Sequence, residues 1–236
     1  MKLGIMQPYF FPYIGYWQLL NAVDTYVIFD DVNFIKRGWI NRNRILVDGA
    51  PEYFNVIIQK ASQNKLINEL SIINDRETTA KNIRMIENAY RKAPYYREAA
   101  PEVEGNIGYG DTNLAGFLSH SIQEICSYLG IKTKLLLSSR IEKDNMKRGQ
   151  EKILAICREL GAADYYNAIG GRKLYDPEIF REQGIRLYFL QTDDIRYEQF
   201  GNPFQGNLSI IDVMMFNPVE KIREMLKQAP DVADII

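Results

Sequence analysis

A single histidine, two cysteines and no long apolar run set the first bounds on this 236-residue chain. With only His120 and no cysteine cluster beside it, the sequence argues against a structural zinc site. A Ser–His–Asp triad would have to use His120, and the run Phe117-Leu118-Ser119-His120-Ser121-Ile122 carries no nucleophile-elbow pattern. It reads as a helical histidine on a polar face. Cys126 and Cys157 each fall in an amphipathic helical pattern and read as buried thiols, not as a disulfide or a metal pair. No stretch approaches the ~18 apolar residues of a spanning helix. Met1-Lys2-Leu3 runs straight into a strand, with no separate apolar leader and cleavage site, so the expected location is the cytoplasm. An excess of either charge is missing too: Lys plus Arg is 29 and Asp plus Glu is 30, for a net charge of −1. Nothing global therefore points to nucleic acid or a membrane surface, and an anionic partner must be met by a local basic patch.

The chain is 46% hydrophobic and 25% charged, the composition of an ordinary globular protein. No internal repeat or low-complexity linker divides it, and residues 1–236 are expected to form one domain. Its most informative run is Met6-Gln7-Pro8-Tyr9-Phe10-Phe11-Pro12-Tyr13-Ile14-Gly15-Tyr16-Trp17, with six aromatics between Tyr9 and Trp17. An apolar strand, Leu3–Met6, precedes it and a helix follows it. Two prolines pre-set the loop backbone and each removes a donor; Gly15 permits a close approach. Strand–loop–helix junctions are where open α/β sheets place ligands, so the cluster is expected to be a stacking platform.

The strand Thr25–Phe29 follows, ending at Asp30-Asp31. A strand, a helix and a second strand in this space predict a right-handed βαβ unit with parallel strands. Both aspartates then share a sheet edge with the aromatic loop. Asp48-Gly49 between apolar runs predicts a hairpin within 44–58. Short elements are expected within 64–75, a helix over 77–92, a loop over 101–110 and a long helix from Asn113 to Leu129, stopped by Gly130. Strand 131–137, helix 149–160, strand 164–167, a helical turn over 178–183 and strand 185–190 complete the alternation, with helices over 209–215 and 218–227. The expected fold is α/β, a mainly parallel open sheet with flanking helices and an inserted β-hairpin, Rossmann-like.

Four cations and no acid occupy Lys36-Arg37-Gly38-Trp39-Ile40-Asn41-Arg42-Asn43-Arg44. Arginine recognises phosphate in a planar, bidentate way, and Asn41 and Asn43 can read hydroxyls or amides. One short patch without a wider basic face points to a nucleotide or nucleotide sugar and not to nucleic acid. Asp30 and Asp31 read as a general base, a sugar-hydroxyl ligand or, with substrate phosphates, a Mg²⁺ site; on a strand only one of the two need face the site. Gly170-Gly171 after a short strand suits close backbone approach to a ligand. Asn207 reads as an N-cap before an apolar helix, with Ser209 beside it.

Taken together, the 7–16 run, Asp30-Asp31, Phe34-Ile35-Lys36, Trp39-Ile40-Asn41-Arg42-Asn43, Tyr90-Arg91-Lys92-Ala93-Pro94-Tyr95 and Asn207-Leu208-Ser209-Ile210-Ile211-Asp212 resemble the WbqC-like family, over nearly the whole chain. That resemblance implies a setting in bacterial O-antigen and other surface-polysaccharide biosynthesis, and work on nucleotide-activated sugars, often amino sugars. The chain departs from the family pattern at Lys81-Asn82, where a Lys-His pair is expected. A fainter, architectural likeness is to His-x-Gly-His nucleotidyltransferases and related amide-forming ligases, with Tyr13-x-Gly15-Tyr16 in the place of the signature. Both signature histidines are absent, which leaves tyrosine hydroxyls and the helix N-terminus to meet a phosphate.

The expectation is an enzyme that forms an amide on the amine of a nucleotide-linked sugar, using an activated acyl donor or ATP. Gln7, Tyr9, Phe11, Tyr13, Gly15 and Tyr16 would line the platform. Lys36, Arg37, Trp39, Asn41, Arg42 and Asn43 would hold phosphates, and Asp30 or Asp31 would take the amine proton or bind Mg²⁺. Gly170, Gly171, Asn207 and Ser209 are the further candidate binding residues. The alternatives are a non-catalytic sugar-nucleotide binding or assembly protein and a nucleotidyltransferase.

Overall fold

The computed structural model describes residues 1–192, 195–201 and 203–227, and the backbone of 231–233. In chain order its elements are β1 (Lys2–Met6), α1 (Ile14–Asn21), β2 (Thr25–Ile28), β3 (Arg42–Val47), β4 (Ala50–Asn55), β5 (Ile57–Ile58), β6 (Ile72–Ile73) and α2 (Arg76–Tyr90). Then follow α3 (Tyr96–Ile107), α4 (Leu114–Leu129), β7 (Lys134–Leu137), α5 (Gly149–Glu159), β8 (Asp164–Ala168), α6 (Pro177–Glu182), β9 (Arg186–Leu190), α7 (Ile210–Phe216), α8 (Val219–Met225) and β10 (Asp231–Ala233).

The main sheet has the order β10-β9-β8-β1-β2-β7. Five strands, β9 through β7, are parallel, and β10 pairs antiparallel with β9. The chain winds outward from β1 through β2 to β7, then returns to β8 and β9 on the other side. The winding therefore reverses between β1 and β8, and crevices outside the carboxyl ends at such a reversal are where open α/β sheets bind ligands.

Side-chain alternation along the strands separates two cores. Leu3, Ile5, Val27, Tyr165, Leu187 and Phe189 point to one face and pack with Ile153, Ile156 and Cys157 of α5 and Phe180 of α6. Tyr26, Ile28, Tyr166 and Leu190 point to the other, larger core with Trp17 of α1, Ile122 of α4 and Met214 of α7. Apolar residues on both faces are what a covered parallel sheet needs.

Local chemistry explains the ends. Asp48 and Gly49, with φ of 48° and 80°, make the two-residue turn between β3 and β4. Asn113 caps α4 by accepting from the Gly116 N–H at 3.0 Å, and Gly130 stops it in the left-handed conformation. Three sequence expectations need correction. Residues 101–107 are not a loop, because α3 runs through Pro101, and only 108–110 lie outside it. Burial of Ala99, Ala100, Val103 and Ile107 on one face outweighs the lost helical bond. The strand expected from residue 131 starts at Lys134. The cap of α7 is Ser209, whose side chain accepts from the Ile211 N–H, and not Asn207, which lies two residues earlier at φ 56°.

Candidate functional site

The loop after β1 is held by its carbonyls. Asn43 of β3 donates from Nδ2 to the Phe10 and Phe11 oxygens at 3.1 and 2.8 Å. Ser209 Oγ donates to the Phe11 oxygen at 2.8 Å, while Trp17 Nε1 and the Ile210 N–H both donate to the Pro12 oxygen at 3.0 Å. Phe11 sits at φ 42°, a conformation strained for a bulky residue. Such strain persists where surrounding structure over-determines it, and it clusters at functional sites. Here two distant segments, β3 and the start of α7, impose it together with nearby Trp17. Gly15 completes the arrangement, because a Cβ there would lie 2.2 Å from Thr192 Oγ1 and 2.5 Å from the Tyr13 ring.

The clamped loop presents two of its aromatics to a cavity of about 390 Å³ lined by Tyr9, Pro12, Tyr13, Trp39, Asn43, Arg44 and Asn207. The Arg44 guanidinium lies 5.6 Å from the Trp39 ring centre, and its Nη2 donates to the Asn207 oxygen at 3.3 Å. Its Nε has no hydrogen-bond partner among the described residues. The hairpin register sets Arg44 opposite Tyr53, and the Tyr53 ring stacks on Trp39 at 6.4 Å and 29°. Burial pushes the hydroxyls of Tyr9 and Tyr13 up from the ordinary tyrosine value, so both remain protonated donors at neutral pH. Aromatic faces, hydroxyls, a carboxamide and a guanidinium suit a ligand with a flat or sugar ring and an anionic group.

The remaining aromatics of the run have another fate. Phe10, Phe11, Tyr16 and Trp17 are buried in the larger core. Tyr16 donates its hydroxyl to the Gln7 oxygen at 3.2 Å, and Gln7 itself is half-buried. Of the basic loop, Lys36 and Arg37 are exposed and outside this cavity. Arg42 donates to the Gly38 oxygen at 3.2 Å and to the Arg37 oxygen, and stacks 4.5 Å over Tyr53. Asn41 is spent on the Val56 oxygen at 3.0 Å. Gly170 and Gly171 lie in a short 3₁₀ turn, residues 169–174, at the carboxyl end of β8 and do not line the cavity. Arg44 closes the basic run that the sequence offers for phosphates but was not itself named as a site residue, and Tyr53 was not singled out. The signal for Arg44 was its place in the basic run, on the same face of β3 as Arg42; Tyr53 had none.

The two aspartates go elsewhere. Asp30 is buried, with Oδ1 accepting from the Ser139 N–H at 2.9 Å and Oδ2 from the Ser139 hydroxyl at 2.6 Å. Asp31 Oδ2 is ion-paired to Lys143 at 2.8 Å and Lys152 at 3.1 Å. Burial alone would raise the Asp31 pKa, but Lys143, Ser138 and Lys152 outweigh it and hold the carboxyl below its ordinary value. So engaged, Asp31 is a weak base, and the hydrogen bonds that Asp30 accepts from Ser139 leave neither aspartate as a free carboxylate. Asp31 lines a second cavity, of about 490 Å³, with Ser139, Asn145, Lys147, Arg148 and Lys152 among its walls. The aspartates and the aromatic loop, expected to share a sheet edge, thus line separate cavities, the aromatic loop and β3 forming one and Asp31 the other. Among the described residues no group of three or more His, Cys, Asp or Glu side chains is placed to hold a metal.

An uncharacterised protein of Mycobacterium tuberculosis (strain ATCC 25618 / H37Rv), Rv1507c, is 31% identical to this chain over 219 residues, 92% of this chain and 93% of its own length. No solved structure matches. The WbqC-like protein family model matches residues 7–224, a span that includes the clamped loop, the hairpin, both cavities and the Ser209 cap, and the chain belongs to that family.

Proposed function

We propose that the protein binds a nucleotide-linked amino sugar in the aromatic cavity and acts on it in bacterial surface-polysaccharide biosynthesis, in the cytoplasm. The observation that carries the binding reading is the cavity itself: Tyr9, Tyr13 and Trp39 offer ring faces, with Arg44 beside Trp39 for a phosphate. Its walls come from the loop after β1, beside the point where the strand order reverses, which supports a Rossmann-like mode of binding. The surface-polysaccharide setting, O-antigen above all, rests on the family resemblance. The reaction we favour is acyl transfer to the sugar amine: the new C–N bond forms, the amine loses a proton, and the leaving group of an activated acyl donor departs.

The test is calorimetric titration with UDP-, dTDP- and GDP-linked amino sugars. One of them should bind, and Arg44→Ala should weaken it by about 1.5–3 kcal/mol, the scale of a hydrogen bond to a charged group. No binding across the panel, or unchanged affinity in a folded Arg44→Ala protein, would remove this reading. A second reading, a non-catalytic sugar-nucleotide binding or assembly protein, is favoured by one observation: Asp30 and Asp31 are both engaged within the protein. Binding without turnover over a panel of acyl donors, with and without ATP, would select it.

A further inference from the structure

Lys36 and Arg37 stay outside the aromatic cavity, and they belong to a larger basic surface. Residues 32–47 and 53–68 hold six cations, Lys36, Arg37, Arg42, Arg44, Lys60 and Lys65, and no acid, in a chain whose net charge is −1. The fold joins the two segments. β3 pairs with β4, the Val56 N–H donates to the Asn41 oxygen at 3.0 Å, and Asn33 bridges to Leu66. The Phe34 N–H donates to the Lys65 oxygen at 3.0 Å, which sets Lys65 beside the Lys36 turn. Lys36, Arg37, Lys60 and Lys65 are exposed and make no ion pair among the described residues. Of the acids nearest in sequence, Asp48 sits at the hairpin turn, and Glu52 alternates to the opposite side of β4 from Tyr53.

Large apolar side chains stand among these charges: Ile35 is 50% exposed, Trp39 38%, Tyr53 49% and Ile57 45%. A single exposed apolar residue is ordinary, but here the turn that carries Ile35 and Trp39 is a fixed projection. Buried Phe34 and Ile40 anchor its two ends. Inside it the Gly38 N–H donates to the Ile35 oxygen at 3.3 Å, Arg42 holds the Arg37 and Gly38 oxygens, and Arg37 is kept at φ 62°. The Trp39 ring then continues the surface onto Tyr53 through their stack. The cations draw this face to an anionic partner, and the apolar groups between them gain by leaving water. An anionic bilayer meets both needs, because its headgroup layer attracts Lys and Arg and accommodates Trp and Tyr. A nucleic acid would meet the cations and the rings but has nothing to cover Ile35 and Ile57. We propose that this face docks reversibly on an anionic lipid bilayer, with Ile35 and Trp39 among the headgroups and Lys36, Arg37, Lys60 and Lys65 on lipid phosphates. Trp39 also lines the aromatic cavity, so docking brings that cavity to the lipid surface.

The chain supplies its own probe. Its two tryptophans are Trp17, fully buried, and Trp39, so a blue shift of emission on adding vesicles reports Trp39 leaving water. Vesicles of phosphatidylcholine mixed with phosphatidylglycerol should sediment the protein and produce that shift. Vesicles of phosphatidylcholine alone should do neither, and added salt should release the bound protein as the charges are screened. The double variant Lys36→Glu/Lys65→Glu alters two exposed side chains outside the aromatic cavity. It should keep the wild-type melting transition while losing about ten-fold or more in partitioning. Ile35→Ser should weaken partitioning while leaving its dependence on salt unchanged, because it removes apolar contact and no charge. Absence of sedimentation with the anionic vesicles, or wild-type partitioning in the folded double variant, overturns the proposal. So does sedimentation with no shift in Trp39 emission. Binding of poly(U) RNA that the double variant loses, with no binding of vesicles, also overturns it and gives the face to nucleic acid.

Discussion

Asp212 is fully buried and meets no cation among the described residues, yet both its oxygens accept hydrogen bonds. Its Oδ1 accepts from the Tyr90 hydroxyl at 2.8 Å, and its Oδ2 from the Tyr197 hydroxyl at 2.7 Å and Gln199 Nε2 at 2.6 Å. Burial raises its pKa and these three donors pull it back only in part. The Tyr90 oxygen in turn accepts from the Leu46 N–H at 2.8 Å. One phenol thus joins the end of α2 to β3 and α7, and α7 starts at the residues that clamp Phe11 and Pro12. This is a physical reason for Tyr90 and Asp212 to stand in two separate motifs of the sequence: they hold the wall of the aromatic cavity without touching it. Tyr90→Phe keeps the ring and deprives both the Leu46 N–H and Asp212 Oδ1 of a partner. The variant should unfold at lower urea concentration, with a loss of about 1–3 kcal/mol for stranding buried polar groups. A change within about 0.5 kcal/mol, the range of an inconsequential surface substitution, would show that water replaces the phenol. Arg42 carries the same lesson. Its guanidinium is occupied with the Arg37 and Gly38 carbonyls, so the charge that the sequence offers for a phosphate is used to shape the loop, and Arg44 takes its place at the cavity.

Among the elements, α3 tests how far burial can override a local breaker. Pro101 lies in the sixth position of the helix and is exposed. It forfeits one helical N–H bond and crowds the preceding turn, at about 3 kcal/mol, and returns about 0.4–1 kcal/mol by stiffening the unfolded chain. Pro101→Ala should therefore stabilise the protein by about 2–2.6 kcal/mol in urea unfolding. A destabilised variant would show that the helix is bent at Pro101 to fit α4 and α7. The same element marks the limit of what the sequence shows. Where spacing, caps and turn residues agree, as at β1, β2, the Asp48-Gly49 turn and the Asn113–Gly130 bounds of α4, the elements form as read. Where they disagree, as at Pro101 between the apolar Ala99, Ala100 and Val103, the outcome depends on partners in α4 and α7 that no local pattern reveals. The aromatic run divides for a similar reason. Its position after β1 predicts a loop at the sheet edge, but which rings turn inward is decided by the core they meet, and only Tyr9 and Tyr13 reach the cavity.

At the scale of the molecule, strand-end logic brought the aromatic loop and the Asp30-Asp31 pair to the same edge of the sheet but not to the same cavity. The partners that draw Asp31 away, Lys143 and Lys152, lie far along the chain, beyond β7, and nothing in the sequence pairs them with it. This link ties the end of β2 to the segment after β7 and to α5, and it gives stability a pH dependence of known sign. The folded Asp31 pKa lies below the ordinary 3.8, so the unfolded chain takes up the proton first. The stabilisation is fully present above that ordinary value and is lost as pH falls from there through the lowered one. Asp212 works in the opposite sense: its raised pKa favours the folded state at low pH and loses that advantage as pH rises through it. Total stability therefore mixes the two, and the difference between wild type and Asp31→Asn isolates one. At pH 7 the variant leaves Lys152 buried beside an uncharged amide and should be less stable by about 3–5 kcal/mol, as when one partner of a buried pair is removed. Urea unfolding of both proteins at pH 7, 5, 4 and 3 should show that gap steady down to about pH 4 and closing below it. A gap that stays constant to pH 3 would mean that Asp31 contributes through its shape and neutral hydrogen bonds, and that the charge on Lys143 and Lys152 is balanced elsewhere.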